Sequence, residues 1–138
     1  MRFMIIRKAD RDTEAGVMPG EELIAAMARY NEEMVDAGVM LMGEGLQSSA
    51  KGARVKFTRG KPRVIDGPFT ESKELIAGFS LIEVASKEEA IEWVKRWPQI
   101  DGKGEVEIEI RQVFELSELG SEEAMASHAK LRDRLRGR

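Results

Sequence analysis

Apolar residues follow two different periodicities along this chain, one typical of strands and one typical of helices. Positions 3–6 are apolar without a break, and residues 75–84 form a second long apolar run. Runs of this kind predict central strands that are covered on both faces. A third strand is predicted at residues 39–46. Residues 105–114 alternate between apolar and charged side chains, which predicts a strand with one face in water.

The helical periodicity predicts two helices, one after each of the first two apolar runs. Residues 21–37 carry an apolar stripe at spacings of three and four, made of Leu23, Met27, Tyr30 and Met34. The second helix begins behind Ser86, where the Ser-x-x-Glu pattern ending at Glu89 is typical of a capping box. Pro98 is expected to close it.

The order of these elements predicts an α+β fold of the ferredoxin-like, split βαβ type, with a mainly antiparallel sheet. A small hairpin, with strands at 54–58 and 63–66 and a turn at 59–62, interrupts the core. Two helices can cover only one face of the sheet. Because the central strands are apolar on both faces, we expect a homodimer, or a higher oligomer, to cover the other face.

The chain divides by pattern into a domain at residues 1–115 and a C-terminal helical extension at residues 116–138. The extension ends in a basic stretch at 130–138. A surface helix with its cations near the negative end of the helix dipole is the simpler interpretation. A tail that contacts nucleic acid or an acidic partner is the alternative.

Composition excludes several classes of function. A net charge of −3 over 138 residues argues against a general nucleic-acid binder. The chain has no cysteine and a single histidine, His128, so disulfides, thiol chemistry and most metal or Ser-His schemes are excluded. We therefore expect no cofactor and no metal. No apolar run reaches the roughly 20 residues that span a bilayer, and no signal peptide is recognisable, so a cytoplasmic protein without a membrane partner is expected.

Residues 66–74 concentrate charge around a turn signature. Gly67-Pro68 marks the turn, Asp66 precedes it, and Phe69, Glu71 and Lys73 follow it. Charged loops at strand ends often carry binding groups. A structural cluster that fixes the hairpin is the alternative for these side chains. Glu44, a carboxylate between two glycines in a strand, is a second unusual feature.

Asp66-Gly67-Pro68-Phe69 followed by Glu71-Ser72-Lys73-Glu74 resembles the signature of the DGPF branch of the YciI-like (YCII-related) family. The resemblance covers roughly residues 1–115. It implies a dimeric α+β barrel, a fold shared with isomerases, monooxygenases and a dehydrochlorinase that act on aromatic or lactone substrates. Some relatives carry a His on the first helix; here Tyr30 is the only comparable side chain. Some also occur beside sigma factors, which implies a regulatory alternative.

Two functional hypotheses follow. In the first, a small enzyme of isomerase or lyase type uses carboxylate acid–base chemistry on a small organic substrate. Asp66 or Glu44 would be the base and Tyr30 a proton donor, while Glu71, Lys73 and Phe69 would bind the substrate. In the second, the same pocket belongs to a non-catalytic ligand-binding or regulatory dimer. The enzyme hypothesis requires that Glu44, Asp66 and Lys73 converge on one cavity.

Overall fold

A four-stranded antiparallel sheet, seen in a computed structural model that describes residues 1–71 and 74–137, forms the centre of the protein. A separate two-stranded hairpin is inserted between its second and third strands. The strands are β1 (Arg2–Lys8), β2 (Met40–Gly45), β3 (Ala53–Thr58), β4 (Lys61–Asp66), β5 (Ile76–Glu83) and β6 (Ile108–Gln112). The helices are α1 (Arg11–Glu14), α2 (Glu21–Asp36), α3 (Lys87–Val94) and α4 (Glu122–Arg136).

The strand order of the main sheet is β2-β5-β1-β6. Strand β1 pairs with β5 and β6, β5 also pairs with β2, and all three pairings are antiparallel. With α2 following β1 and α3 following β5, this is the ferredoxin-like arrangement. The predicted α+β fold class is confirmed, and the predicted strands and helices agree with the observed ones to within a few residues at each end.

The hydrophobic core lies between the sheet and the helices α2 and α3. Alternate residues of β1 point into it, and Phe3 and Ile5 are almost fully buried. From α2, Tyr30 and Met34 of the predicted apolar stripe are buried against them. Ile82 of β5 completes the centre and has no exposed surface.

The opposite face of the sheet is apolar as well. Met4 lies directly across from Leu81, and Ile6 from Phe79, on the face turned away from the buried Phe3 and Ile5. All four side chains are only half-buried in the single chain. Cross-strand neighbours of this kind lie about 5 Å apart, so they form one continuous apolar patch.

The hairpin turn is shorter than predicted. Only Arg59 and Gly60 connect the strands, and both have positive φ, 52° and 79°, as a type I′ turn requires. The predicted four-residue turn at 59–62 is wrong because Pro62 already pairs with Phe57 in the hairpin. The two-residue turn matches the twist of the two strands, and Pro62 is tolerated because both strands of the ribbon are edges.

Two of the short elements that were not predicted contribute residues to the site. Asp10 caps the start of helix α1: its carboxylate accepts the Thr13 N–H, while the Thr13 hydroxyl accepts the Asp10 N–H. Asp101–Gly104 forms a 3-10 segment with positive φ at Gly102, Lys103 and Gly104. Asp10 caps the first element and Asp101 begins the second, and both aspartates belong to the site described below.

The C-terminal extension consists of a 3-10 turn at Leu116–Glu118 and the helix α4. The Ser121 hydroxyl caps α4, and none of the helix residues is buried. The division of the chain at residue 115 stays a prediction. Across the part of the chain with described coordinates, no helix has the length and apolarity that a bilayer crossing requires.

Candidate functional site

A cleft of about 980 Å³ opens between the start of α2 and one edge of the sheet. The segment 16–20 and the residues around the Asp101–Gly104 turn form its two ends. Its walls are largely apolar and include Met18, Leu23, Met27, Trp97 and Ile100. A concave, mainly apolar surface with a few polar groups is the usual form of a small-molecule site.

The floor of the cleft is a group of small residues from two neighbouring strands. The register pairs Gly43 with Ser80 and Gly45 with Gly78, so all four lie on the face of the sheet that α2 covers. A Cβ on Gly43 would lie 2.5 Å from the Met40 methyl group, so a larger residue would not fit there unless Met40 moved. The Met40 methyl group thus lies over Gly43, whereas a Cβ on Gly45 would meet no atom within 4 Å, so the strand backbone is open at Gly45.

Arg7 of β1 lies beside this floor, across from Gly78 of β5. It follows Phe3 and Ile5 on the core face of β1 and is only 8% exposed. Its guanidinium makes a two-point contact with Asp101, with Nε–Oδ2 at 3.1 Å and Nη2–Oδ1 at 2.7 Å. The Trp97 indole N–H also donates to Asp101, at 2.9 Å.

Asp10 is the second partner of Arg7, at 3.1 Å from Nη1, and its side chain is 35% exposed. Burial acts to raise the pKa of both carboxyl groups. Hydrogen bonds outweigh burial: the Thr13 N–H and Arg7 lower the pKa of Asp10 below its usual value, and Arg7 and Trp97 lower that of Asp101. Both groups are therefore carboxylates at neutral pH, and the cluster of Arg7, Asp10 and Asp101 carries a net charge of −1.

Glu44 is the one predicted catalytic residue that lines this cleft. It lies on the exposed edge strand β2, across from Phe79. Because Phe79 lies on the open face of the sheet, the Glu44 side chain lies on that face too, and not on the face that carries Ser80.

The signature loop after β4 lies outside the lining of the cleft. Gly67 packs so tightly that a Cβ there would lie 1.7 Å from the Ser49 carbonyl oxygen. The Phe69 N–H donates to the Ser49 hydroxyl at 2.9 Å, and that hydroxyl donates to Glu14 at 2.5 Å. The Arg54 guanidinium stacks 3.8 Å above the Phe69 ring. These contacts hold the loop against the end of α1.

Three predicted site residues remain to be placed in this region. Asp66 pairs with Ala53 at the end of the hairpin and is exposed. Glu71 is exposed as well. Lys73 lies outside the described residues. The convergence required by the enzyme hypothesis is therefore not seen for Asp66 and Glu44, since only Glu44 reaches the cleft.

Tyr30 occupies the core. Its hydroxyl donates to the Trp93 carbonyl oxygen at 2.7 Å, and its ring meets Trp97 edge-on, with centroids 5.6 Å apart. Burial raises the pKa of Tyr30 to about 12. The phenol is thus hydrogen-bonded to the backbone of α3, and Tyr30 is not one of the described residues that line the cleft. A catalytic role for Asp66, Glu44 or Tyr30 stays a prediction.

Sequence reasoning missed Arg7 and Ser80. A signal for Arg7 was present, because it continues the Phe3, Ile5 alternation and so had to lie on the buried face. No signal placed Asp101 beside it across 94 residues of chain. Among the described residues, no group of three or more His, Asp or Glu side chains is arranged to hold a metal ion.

The chain belongs to the family of YCII-related domains, whose model matches residues 1–117. An uncharacterised protein of Rhizobium meliloti (strain 1021) is 31% identical over 75 residues, which are 54% of this chain and 60% of that protein. The chain thus aligns with less than two thirds of this relative. Among solved structures, the 5-chloro-2-hydroxyhydroquinone dehydrochlorinase of Burkholderia phenoliruptrix AC1100, in complex with 2,5-dihydroxybenzoquinone, matches with 19% identity and a TM-score of 0.42, over 83% of this chain and 96% of that one.

Proposed function

We propose that this protein is a small enzyme that transfers a proton on a small organic molecule bound in the cleft, as an isomerase or a lyase does. The observation that carries the proposal is the presence of ionised carboxylates and a guanidinium in a mainly apolar cleft of about 980 Å³. Apolar walls hold the carbon skeleton, and the few polar groups set its orientation.

Two carboxylates near the cleft are candidates for the base. Asp10 lies beside Arg7 with part of its side chain exposed, whereas Glu44 lies at the rim with its side chain on the opposite sheet face. The lowered pKa of Asp10 keeps it ionised but makes it a weak base. It suits a proton that a neighbouring carbonyl group has already made acidic. Positioned general-base assistance of this kind contributes about 10²- to 10⁴-fold to the rate.

The test is a thermal-shift screen of small aromatic and lactone compounds, followed by turnover assays on those that bind. A ligand at 100 times its Kd stabilises the protein by about 2.7 kcal/mol, which such a screen detects. We expect Glu44→Gln or Asp10→Asn to lower kcat at least 100-fold while binding is retained. Asp66→Asn is the matched control, since Asp66 is exposed and lies outside the cleft. Loss of turnover in Asp66→Asn alone would move the site to the signature loop.

A non-catalytic ligand-binding protein, with a regulatory role, is the second candidate. The observation in its favour is that the polar groups near the cleft are already engaged. Both carboxylate oxygens of Asp101 accept hydrogen bonds, and the Tyr30 hydroxyl is held by a backbone carbonyl. This candidate predicts that ligands bind in the cleft and dissociate chemically unchanged, so that the wild-type protein shows no turnover.

We also propose that two copies pair through the open sheet face and form the dimeric α+β barrel that the family resemblance implies. The apolar patch of Met4, Ile6, Phe79 and Leu81 supports this, because its half-buried side chains would be covered in such a pair. Light scattering should give a dimer for the wild-type protein and a monomer for Leu81→Lys. Val64→Lys is the control, because Val64 lies on the hairpin and is 65% exposed. This variant should remain dimeric.

A further inference from the structure

The hairpin of β3 and β4 is a two-stranded ribbon with one apolar face and one basic face. Its register places Val55 opposite Val64 on one face and Lys56 opposite Arg63 on the other. The apolar face lies in water, since Val55 and Phe57 are 54% and 66% exposed. The hairpin carries five cations and one carboxylate, whereas the whole chain has a net charge of −3. A surface that covers this ribbon has to match both of its faces.

The outer edge of β3 has unpaired backbone groups. The Gly67 N–H donates to the Gly52 carbonyl at 3.0 Å, so the even-numbered residues of β3 are the ones that bond across the hairpin. The backbone groups of Val55 and Phe57 therefore point away from β4. In the part of the chain that the structure describes, no other strand pairs with this edge. The outer edge of β4 is less suited to pairing, because Pro62 has no N–H to donate.

Strand β6 has the complementary edge. It is the last strand of the main sheet, and no described strand pairs with its outer side. The Lys8 N–H donates to the Glu107 carbonyl at 3.0 Å, so the odd-numbered residues bond to β1 and the backbone groups of Ile108 and Ile110 point outward. Carboxylates alternate with these apolar residues, and they are Glu105, Glu107 and Glu109. Both open edges thus carry apolar residues in the outward row and charges in the other row, with opposite signs.

One antiparallel register matches both rows at once. It brings together two pairs of opposite charge and two apolar pairs, which are Lys56–Glu107, Arg54–Glu109, Val55–Ile108 and Phe57–Val106. Cross-strand pairs of both kinds stabilise a sheet, whereas like charges placed opposite each other destabilise it. A slide of two residues in one direction would place Arg54 opposite Arg111. A slide in the other direction would place Phe57 opposite Gly104, which has no side chain to contact it.

We infer that β3 of one copy adds as a strand to the outer edge of β6 of a second copy, with Lys56 beside Glu107. The inference rests on the pair of chains proposed above, since it names two further segments that join the same two copies. In a two-fold symmetric pair the contact occurs twice, because each copy supplies one hairpin and one β6 edge.

Disulfide trapping tests the contact directly, because the chain has no cysteine of its own. Lys56 and Glu107 are both exposed, so Cys can replace either of them without opening the core. In the inferred register their Cα atoms lie about 4.5 Å apart, which a disulfide can span. Chains carrying Lys56→Cys and chains carrying Glu107→Cys are refolded together and oxidised. We expect the linked dimer to form roughly tenfold faster than in the control mixture of Lys56→Cys with Glu123→Cys, at an exposed position of α4.

Charge reversal tests the register through hydrogen exchange at the Val55 amide. In the inferred pair this amide is bonded to β6 of the second copy. Lys56→Glu and Glu107→Lys should each speed its exchange about tenfold, because each places like charges opposite each other. The double variant Lys56→Glu/Glu107→Lys should restore slow exchange. Lys61→Glu, at an exposed position of β4, is the control and should exchange as the wild type does.

The outcomes separate this inference from the proposed pair. If light scattering gives a dimer but the specific disulfide forms no faster than in the control mixture, the two chains pair and β3 does not join β6. If the wild-type protein is a monomer, the proposed pair and this inference are both wrong. Exchange at Val55 that is as fast in the wild type as in Lys56→Glu would also overturn the inference. Lys56 would then be a cation that keeps an open strand edge from pairing.

Discussion

Arg7 and Asp101 meet through two parallel hydrogen bonds although 94 residues of chain separate them. Arg7 lies near the end of the central strand β1, and Asp101 begins the turn that follows α3. Both side chains are about nine-tenths buried. The pair therefore fastens the end of the cleft to the middle of the sheet, and Trp97 reinforces it from the side.

Replacing Asp101 with Asn should destabilise the protein strongly. The substitution leaves the Arg7 guanidinium buried with only Asp10, which is partly exposed, as its charge partner. Removing one member of a buried ion pair typically costs about 3–5 kcal/mol. Urea denaturation of wild type and variant measures the difference.

Asp133→Asn is the control for this experiment, since Asp133 is exposed on α4 and should change stability by less than about 0.5 kcal/mol. The double variant Arg7→Met/Asp101→Leu should recover much of the lost stability, because a buried pair replaced by apolar residues is often neutral. A cost below about 1 kcal/mol for Asp101→Asn would show that water reaches the pair.

Acid should weaken the protein through the same cluster. The folded-state pKa values of Asp10 and Asp101 lie below the usual value of 3.8, so the unfolded chain binds more protons than the folded one in this range. Their contribution to the free energy of unfolding is complete well above pH 3.8 and is lost as the pH falls through the lowered folded values. Denaturation curves between pH 6 and 3 should show this decline, with a smaller slope in Asp101→Asn than in wild type.

The fold was readable from the sequence because each strand and helix carries its own periodicity. The alternation in Arg2–Lys8 and the stripe of α2 are local patterns, and their order along the chain leaves few topologies. The site was less readable, because its floor depends on register. That Gly43 faces Ser80 follows from a bulge between Met40 and Met42, which periodicity alone does not reveal.

The loop at residues 66–74 shows a second reason why the site was harder to predict from the sequence than the fold. Its charges at Asp66 and Glu71 indicated a pocket, but both side chains are exposed, and the loop is held instead by the uncharged Phe69 N–H and by Ser49. Backbone contacts of this kind depend on two segments meeting in space. No spacing within residues 66–74 encodes them.

Tyr30 gives a prediction that separates a structural role from a catalytic one. It is the only tyrosine in the chain, so its ionisation can be followed directly by ultraviolet absorbance. We expect a midpoint at about pH 12, measured immediately after a pH jump, because burial disfavours the phenolate. Tyr30→Phe should cost about 1 kcal/mol through the lost hydrogen bond to Trp93 and leave ligand binding unchanged. A large loss of turnover with unchanged stability would instead identify the phenol as a catalytic group.

Ser49→Ala tests what holds the signature loop in place. The Ser49 hydroxyl accepts the Phe69 N–H and donates to Glu14, so its removal leaves a backbone donor and one carboxylate oxygen without these partners. We expect a loss of about 1–3 kcal/mol and faster hydrogen exchange at the Phe69 amide. Ser48→Ala is a closely matched control, because the Ser48 side chain makes no capping hydrogen bond. Equal exchange at Phe69 in both variants would show that Gly67 packing against Ser49 alone fixes the loop.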